Sequence, residues 1–238
     1  MRIGLANYEF KNGDKAFNLS QIEKGLSEAQ GKADLLCFGE AFLQGFDCLC
    51  WDYDTDKNMA VSRDSQTMRT ICAMSRKYGV DLAFGYIERE DETLYSSCAV
   101  IIRGELAHNY RRISKGWKEF DRTDEHYSEG EATVDFDYRG QYFKLTLCGD
   151  MWDFPEKFKT DGILLWPVFV SYSLEDWQGG MDKEYADQAR LAAERTLMVG
   201  SICRDPNCPS LGGTFFFDKG EIIARAEYGK ESILIVEL

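Results

Sequence analysis

Tyr142-Phe143-Lys144-Leu145-Thr146-Leu147-Cys148-Gly149-Asp150 is an apolar run that ends in a thiol and then at once in a small residue and an acid. This is the layout of a buried strand closing in a tight turn, with Cys148 displayed at the carboxyl end. In open α/β sheets that edge is where ligands bind and reacting groups are held. A thiol there suits a nucleophile, because neighbouring backbone N–H groups, Gly149 first among them, can hold an oxyanion. The competing reading is a buried structural cysteine, since free cysteine is among the most buried residue types.

Working outward, helical and strand periods alternate. Ile3 to Tyr8 reads as a strand, Asn18 to Ala29 as a helix with Ile22, Leu26 and Ala29 on one face, and Leu35 to Phe38 as a short buried strand. Thr67 to Tyr78 is expected to be helical, with Gly79 as its stop. Strands follow at Asp81 to Ile87, Ser97 to Ile102, Leu106 to Arg112, Thr133 to Tyr138, Tyr142 to Leu147 and Ile163 to Trp166. A long helix is expected over Met181 to Met198, then strands near Val199 to Cys203, Gly213 to Phe217, Ile222 to Ala226 and Ile233 to Val236. Helices alternate with strands early and hairpins accumulate late, so the class is α/β with a mixed sheet.

The 238 residues supply one substantial core, and with four prolines and no Ser/Gly/Pro-rich divider the expectation is a single domain over 1–238. The 41 acidic and 28 basic side chains, a net charge of −13, disfavour nucleic acid and anionic membranes. The opening residues turn polar too soon for a signal peptide, and the run from Gly162 to Val170 is too short to span a bilayer. Eight irregularly spaced cysteines point to a reduced, cytoplasmic protein. Neither Cys48/Cys50 nor Cys203/Cys208 has zinc-knuckle spacing, and there are two histidines, so no metal is expected.

A thiol needs a base or a cation beside it. His108 lies mid-strand and His126 in a polar loop, neither in a recognisable cysteine–histidine setting. Glu40 follows a buried strand in Phe38-Gly39-Glu40-Ala41-Phe42-Leu43-Gln44-Gly45-Phe46, where partial desolvation suits a carboxylate to general acid–base work. A carboxylate serving a helix N-terminus is the plainer alternative.

The Glu40 segment, and Cys148 in Leu147-Cys148-Gly149-Asp150-Met151-Trp152-Asp153-Phe154-Pro155-Glu156, resemble two of the three signatures of the nitrilase (carbon–nitrogen hydrolase) superfamily. Phe84-Gly85-Tyr86-Ile87-Glu88-Arg89 resembles the segment before the family's lysine strand. Gly212-Gly213-Thr214 with Asp218 to Ile223 resembles its closing hairpin. The resemblance implies a four-layer α-β-β-α sandwich, pairing as a homodimer or a higher homo-oligomer, with no organic cofactor. It also implies a Glu–Lys–Cys triad that hydrolyses a small amide through a thioester, with Cys148 as nucleophile and Glu40 as base. A nitrile substrate, or a catalytically silent ligand-binding member of the fold, are the rival readings.

The lysine is the difficult member. The signature ends a strand in Tyr-Arg-Lys, and this chain reads Tyr110-Arg111-Arg112, so an arginine stands in the lysine slot. Lys118, favoured by its distance from a following glutamate, and Lys115, nearer the strand end, are the expected cations, with Arg112 as the third candidate. Glu125 resembles the family's second glutamate, expected to position the lysine or the substrate. Trp152 replaces the family's arginine after the Cys-x-Asp pattern and, with Phe42, Trp117 and Trp177, is a candidate for an acyl pocket.

Overall fold

The computed structural model describes residues 1–238. In chain order the first half holds β1 (Arg2–Asn7), β2 (Glu9–Phe10), α1 (Lys15–Ala29), β3 (Leu35–Cys37), α2 (Tyr53–Asp56), α3 (Gln66–Tyr78), β4 (Asp81–Glu90), β5 (Thr93–Ile102) and β6 (Glu105–Arg111). The second half holds β7 (Val134–Tyr138), β8 (Gln141–Leu145), α4 (Asp150–Asp153), β9 (Ile163–Pro167), α5 (Leu174–Asp176) and α6 (Asp182–Arg190). It closes with β10 (Arg195–Val199), β11 (Ile202–Cys203), β12 (Ser210–Leu211), β13 (Phe215–Asp218), β14 (Glu221–Arg225) and β15 (Ser232–Glu237).

Two six-stranded sheets carry the fold, in the orders β15-β1-β3-β4-β5-β6 and β14-β13-β10-β9-β8-β7. Each has three parallel strands in the middle (β1-β3-β4 and β8-β9-β10) flanked by antiparallel ones. Parallel neighbours need crossovers, and these deliver helices onto the outer faces.

Side-chain alternation in β3 shows how the layers are glued. Leu35 and Cys37 face the space between the sheets, with Ile3, Leu5, Ala83, Val100, Leu145, Leu165 and Leu197. Leu36 and Phe38 face outward against Ile22 and Leu26 of α1 and Met68 and Ile71 of α3. A strand buried on both faces reads as a continuous apolar run, which is how this one reads in the sequence. Helix α1 begins one turn earlier than its apolar period because the Asp14 side chain accepts from Phe17 N at 2.9 Å. Helix α3 starts on a Ser65 cap and stops at Gly79, whose φ of 65° lies in the left-handed region.

The long helix expected over Met181–Met198 is a correction. Helix α6 ends at Arg190; Leu191 to Ala193 form turns back onto Gln188 and Ala189, and the chain then enters β10. Residues Arg195–Val199 pair with β9 on one side and β13 on the other, in the middle of the second sheet. Two ladders of hydrogen bonds and full burial of Leu197, Met198 and Val199 outweigh the helical propensity of the alanines and glutamate before them. No helix is long and apolar enough to cross a membrane.

Candidate active site

The two sheets present their strand ends to one another, and three segments meet there. The first is the loop after β3. Its Glu40 is fully buried and its N–H donates to Val168 O. Ala41 adopts φ 48°, and β4 approaches so closely that a Cβ on Gly85 would lie 2.5 Å from Ala41 N. Only glycine fits at 85, which explains the Phe84-Gly85-Tyr86 pattern.

The second segment is the end of β8. Cys148 N donates to Pro167 O at 2.9 Å, its carbonyl accepts from Trp166 Nε1 at 3.0 Å, and its Sγ lies 3.5 Å from Phe169 O. Its φ of 38° is a strained left-handed conformation for a residue with a side chain. Two neighbours over-determine that turn, and it leaves the Gly149 N–H without a hydrogen-bond partner in the protein.

The third segment is the end of β6. Arg112 is 3% exposed; Nη1 donates to Glu40 Oε1 at 2.8 Å and Nε to Ser114 Oγ at 2.6 Å. Glu40 Oε1 also accepts from Ser96 Oγ at 3.3 Å, while Oε2 is buried with no partner. Burial works against the Arg112 charge, but the Glu40 carboxylate outweighs it and holds the guanidinium protonated. Burial, and then the Glu40 charge, push the Cys148 thiol up to about 12, with Arg112 pulling the other way. The thiol thus stands beside the Arg112–Glu40 ion pair.

Asp150 locks the second and third segments together. It is fully buried; Oδ1 accepts from Ile113 N at 3.1 Å and Ser114 N at 2.8 Å, and Oδ2 from Leu147 N at 2.9 Å and Tyr110 OH at 2.5 Å. All four partners are donors, a set suited to an ionised carboxylate, and they counter only in part the burial that lifts this carboxyl above its usual range. Asp150, Ser96 and Ser114 were not among the residues expected from sequence. The one signal was an acid directly after the Cys148-Gly149 turn.

Of the expected residues, the structure therefore brings together Glu40, Cys148 and Gly149, with Arg112 as the cation beside them. None of the other candidates makes a hydrogen bond or ion pair with Glu40, Arg112 or Cys148. Lys118 Nζ is held by Glu129 Oε1 at 2.8 Å and by the Tyr127 carbonyl. Lys115 Nζ lies 5.8 Å from the Phe120 ring. The Glu125 side chain is exposed, and Glu129 is the glutamate that meets Lys118. The reason is geometric: β6 ends at Arg111, so the next residue reaches inward, whereas 115 and 118 lie in the following loop. Gly116 of that loop returns against the Arg112 guanidinium (a Cβ there would lie 3.2 Å from Nη2), while the Lys118 amine is taken up by Glu129 and the Tyr127 carbonyl. Trp152 is 37% exposed and packs edge-on against Tyr185, 5.2 Å between centroids. Phe42 and Trp177 are fully buried core residues, and Trp117 packs with Ala41, Leu94 and Tyr127. His108 stacks on Phe136, and His126 on Tyr53. The main surface hollows, including one of about 430 Å³ lined by Arg63, Asn109, Arg111 and Glu131, lie away from the thiol.

Two face-to-face mixed sheets between helices, with a carboxylate from one and a thiol from the other, define the class as the α-β-β-α sandwich of the nitrilase superfamily. The chain belongs to the carbon–nitrogen hydrolase family, whose pattern matches residues 2–162. It is 27% identical over 156 residues to an (R)-stereoselective amidase of a Pseudomonas species, covering 66% of this chain and 54% of that one. It is 28% identical over 156 residues to a glutamine-dependent NAD(+) synthetase of Thermotoga maritima, covering 64% of this chain and 26% of that one. The chain thus spans about half or less of the curated relatives it matches. Among solved structures, a CN-hydrolase superfamily protein of Xanthomonas campestris with an arsenic adduct in its active site superposes with a TM-score of 0.80. That pair is 17% identical over 99% of this chain and 89% of that one. A mutant of the amidase of Nesterenkonia sp. AN1, with acrylamide added to its active-site cysteine, gives a TM-score of 0.80. Identity there is 17%, over 100% of this chain and 93% of that one.

Proposed function

We propose that this chain hydrolyses the carbon–nitrogen bond of a small amide through a thioester on Cys148. The observation that carries the reading is the unpartnered, buried Glu40 Oε2 in a carboxylate that stands beside the Cys148 thiol. A buried acceptor without a donor is costly unless something is to be delivered to it, and a thiol proton or a water fits.

The Cys148 proton passes to Glu40 as sulfur bonds to the amide carbon, giving a tetrahedral oxyanion beside the free Gly149 N–H. Collapse breaks the carbon–nitrogen bond, and the protonated Glu40 gives its proton to the departing ammonia or amine. Water then attacks the thioester while Glu40 takes one of its protons. Carbon–sulfur cleavage returns that proton to Cys148 and releases the acid. No metal or organic cofactor enters these steps, and the partner is a small-molecule substrate.

The similarity to glutamine-dependent NAD(+) synthetases makes the glutamine carboxamide one substrate to test. The test is ammonia release from acetamide, propionamide and L-glutamine, with the matching nitriles alongside. Amide turnover that vanishes in Cys148→Ala, with an acyl adduct trapped on Cys148 in Glu40→Gln, supports the reading. Undiminished turnover in Cys148→Ala sinks it. Turnover of nitriles alone favours the nitrilase reading, and no turnover in the intact protein favours a silent ligand-binding member, which the Arg112–Glu40 ion pair specifically motivates. A single domain, a cytoplasmic location and pairing as a homodimer complete the proposal; all eight thiols are free, and the exposed Trp152, Leu191 and Ile223 are candidates for a contact face. Size-exclusion chromatography with light scattering tests the pairing.

A further inference from the structure

Arg112 commits two of its three nitrogens to the protein. Nη1 is on Glu40 and Nε on Ser114, while Nη2 has no hydrogen-bond partner. Nη2 lies over the residue after the nucleophile: a Cβ built on Gly149 would stand 2.3 Å from it, 3.3 Å from Cζ and 3.3 Å from Ser114 Oγ. The unused Gly149 N–H belongs to this same residue, so two free donors border the Cys148 thiol.

We infer that Arg112 is the cation of the reaction, that its Nη2 and the Gly149 N–H together hold the oxyanion, and that glycine at 149 is what admits an arginine at 112. The inference rests on the hydrolase reading and adds the pairing of these two positions. A guanidinium is a planar fork, wider than an ammonium. Its Nη2 occupies ground that any side chain at 149 would claim, and 2.3 Å is far inside van der Waals contact, so one of the two must move. If Arg112 moves, Glu40 loses its 2.8 Å partner and the oxyanion loses a donor. Because a guanidinium keeps its protons, every proton transfer in both half-reactions falls to Glu40.

The test is a double-mutant cycle on the full chain, read in two ways. Propionate formation from propionamide is followed by NMR in wild type, Gly149→Ala, Arg112→Lys and the double variant. With the native Arg112 in place, Gly149→Ala is expected to lower kcat about a hundredfold, the size of one lost oxyanion donor. In the Arg112→Lys background, where the narrower ammonium leaves room for a Cβ, the same change lowers kcat less than about threefold. Equal losses in the two backgrounds overturn the pairing.

The second readout needs no turnover: the rate at which iodoacetamide alkylates Cys148 at mildly alkaline pH, by mass spectrometry. Arg112→Ala and Gly149→Ala each slow it about tenfold by removing or displacing the charge that favours the thiolate, and the two together slow it no further. Additive slowing overturns the pairing, and an Arg112→Ala protein with wild-type alkylation and turnover overturns the cation. If wild type leaves every amide intact, the hydrolase reading fails, while the alkylation cycle still decides whether Arg112 and Gly149 act as a pair.

Discussion

Asp150→Asn tests the hydrogen-bonded clamp that sets one half of the site against the other. The aspartate accepts from Ile113 N, Ser114 N, Leu147 N and Tyr110 OH, all inside the protein. Asparagine has the same shape but one acceptor oxygen. Its best placement keeps Oδ1 on Ile113 N and Ser114 N and turns Nδ2 toward Leu147 N and Tyr110, whose hydroxyl can rotate to accept. The Leu147 N–H is then a buried donor facing a donor, a loss of about 1–3 kcal/mol. The remaining bonds lose their charge assistance, which makes them about half as strong. The sum is about 3–5 kcal/mol, against a total stability of roughly 5–15 kcal/mol for a domain. Urea unfolding followed by tryptophan fluorescence should show the midpoint falling with an unchanged slope. The residual folded protein should turn over amides more slowly, because residues 110–114 and 147–150 carry Arg112 and Cys148. A stability change below about 1 kcal/mol would refute the reasoning, since one orphaned N–H alone accounts for that much.

Three further outcomes are expected. Lys118→Met breaks the 2.8 Å pair with Glu129 and lowers the melting temperature, but changes kcat less than about threefold, whereas Arg112→Leu abolishes turnover; steady-state kinetics on both decide it. Burial works against the Glu88 charge, but Arg111, Ser97 and Asn109 outweigh it and hold the carboxyl below its usual range. Its stabilisation is therefore present above the unfolded value and lost as pH falls through the folded one. Glu88→Gln should lower the melting temperature at neutral pH, by an amount reflecting about 3–5 kcal/mol for a broken buried pair, and the gap from wild type should close on acidification. A gap that stays constant into strong acid speaks against it. Finally, with the Cys148 thiol pushed up to about 12, its alkylation by iodoacetamide should keep accelerating through the alkaline range. A plateau near neutrality would show a preformed thiolate instead.

Much of the fold is legible because its signals are local. The doubly buried β3 shows its apolar run, α3 shows its period, its Ser65 cap and its Gly79 stop, and the strand ends at Glu40 and Cys148 announce themselves by chemistry after a hydrophobic stretch. Where the reading failed, as over Arg195–Val199, helical propensity lost to two flanking strands, Ile163–Pro167 and Phe215–Asp218, that are distant in sequence. The ladder partners of a central strand leave no trace in its own composition.

The site divides along the same line. The sequence by itself singled out the proposed nucleophile and acid, Cys148 and Glu40, because each sits in a run of neighbours that specifies a buried strand end. Which cation stands beside them was decided only by the tertiary structure. Arg112, Lys115 and Lys118 lie within one seven-residue stretch, and composition does not distinguish them. The inward turn at the end of β6, the clamp from Asp150 and the absence of a Cβ at Gly149 make room at the thiol for the arginine, while Glu129 holds Lys118 in the neighbouring loop. Those are steric and hydrogen-bonding facts between segments 36 and 72 residues apart, the first joining the two sheets and the second joining distant strands of one sheet, and they exist only in the folded chain.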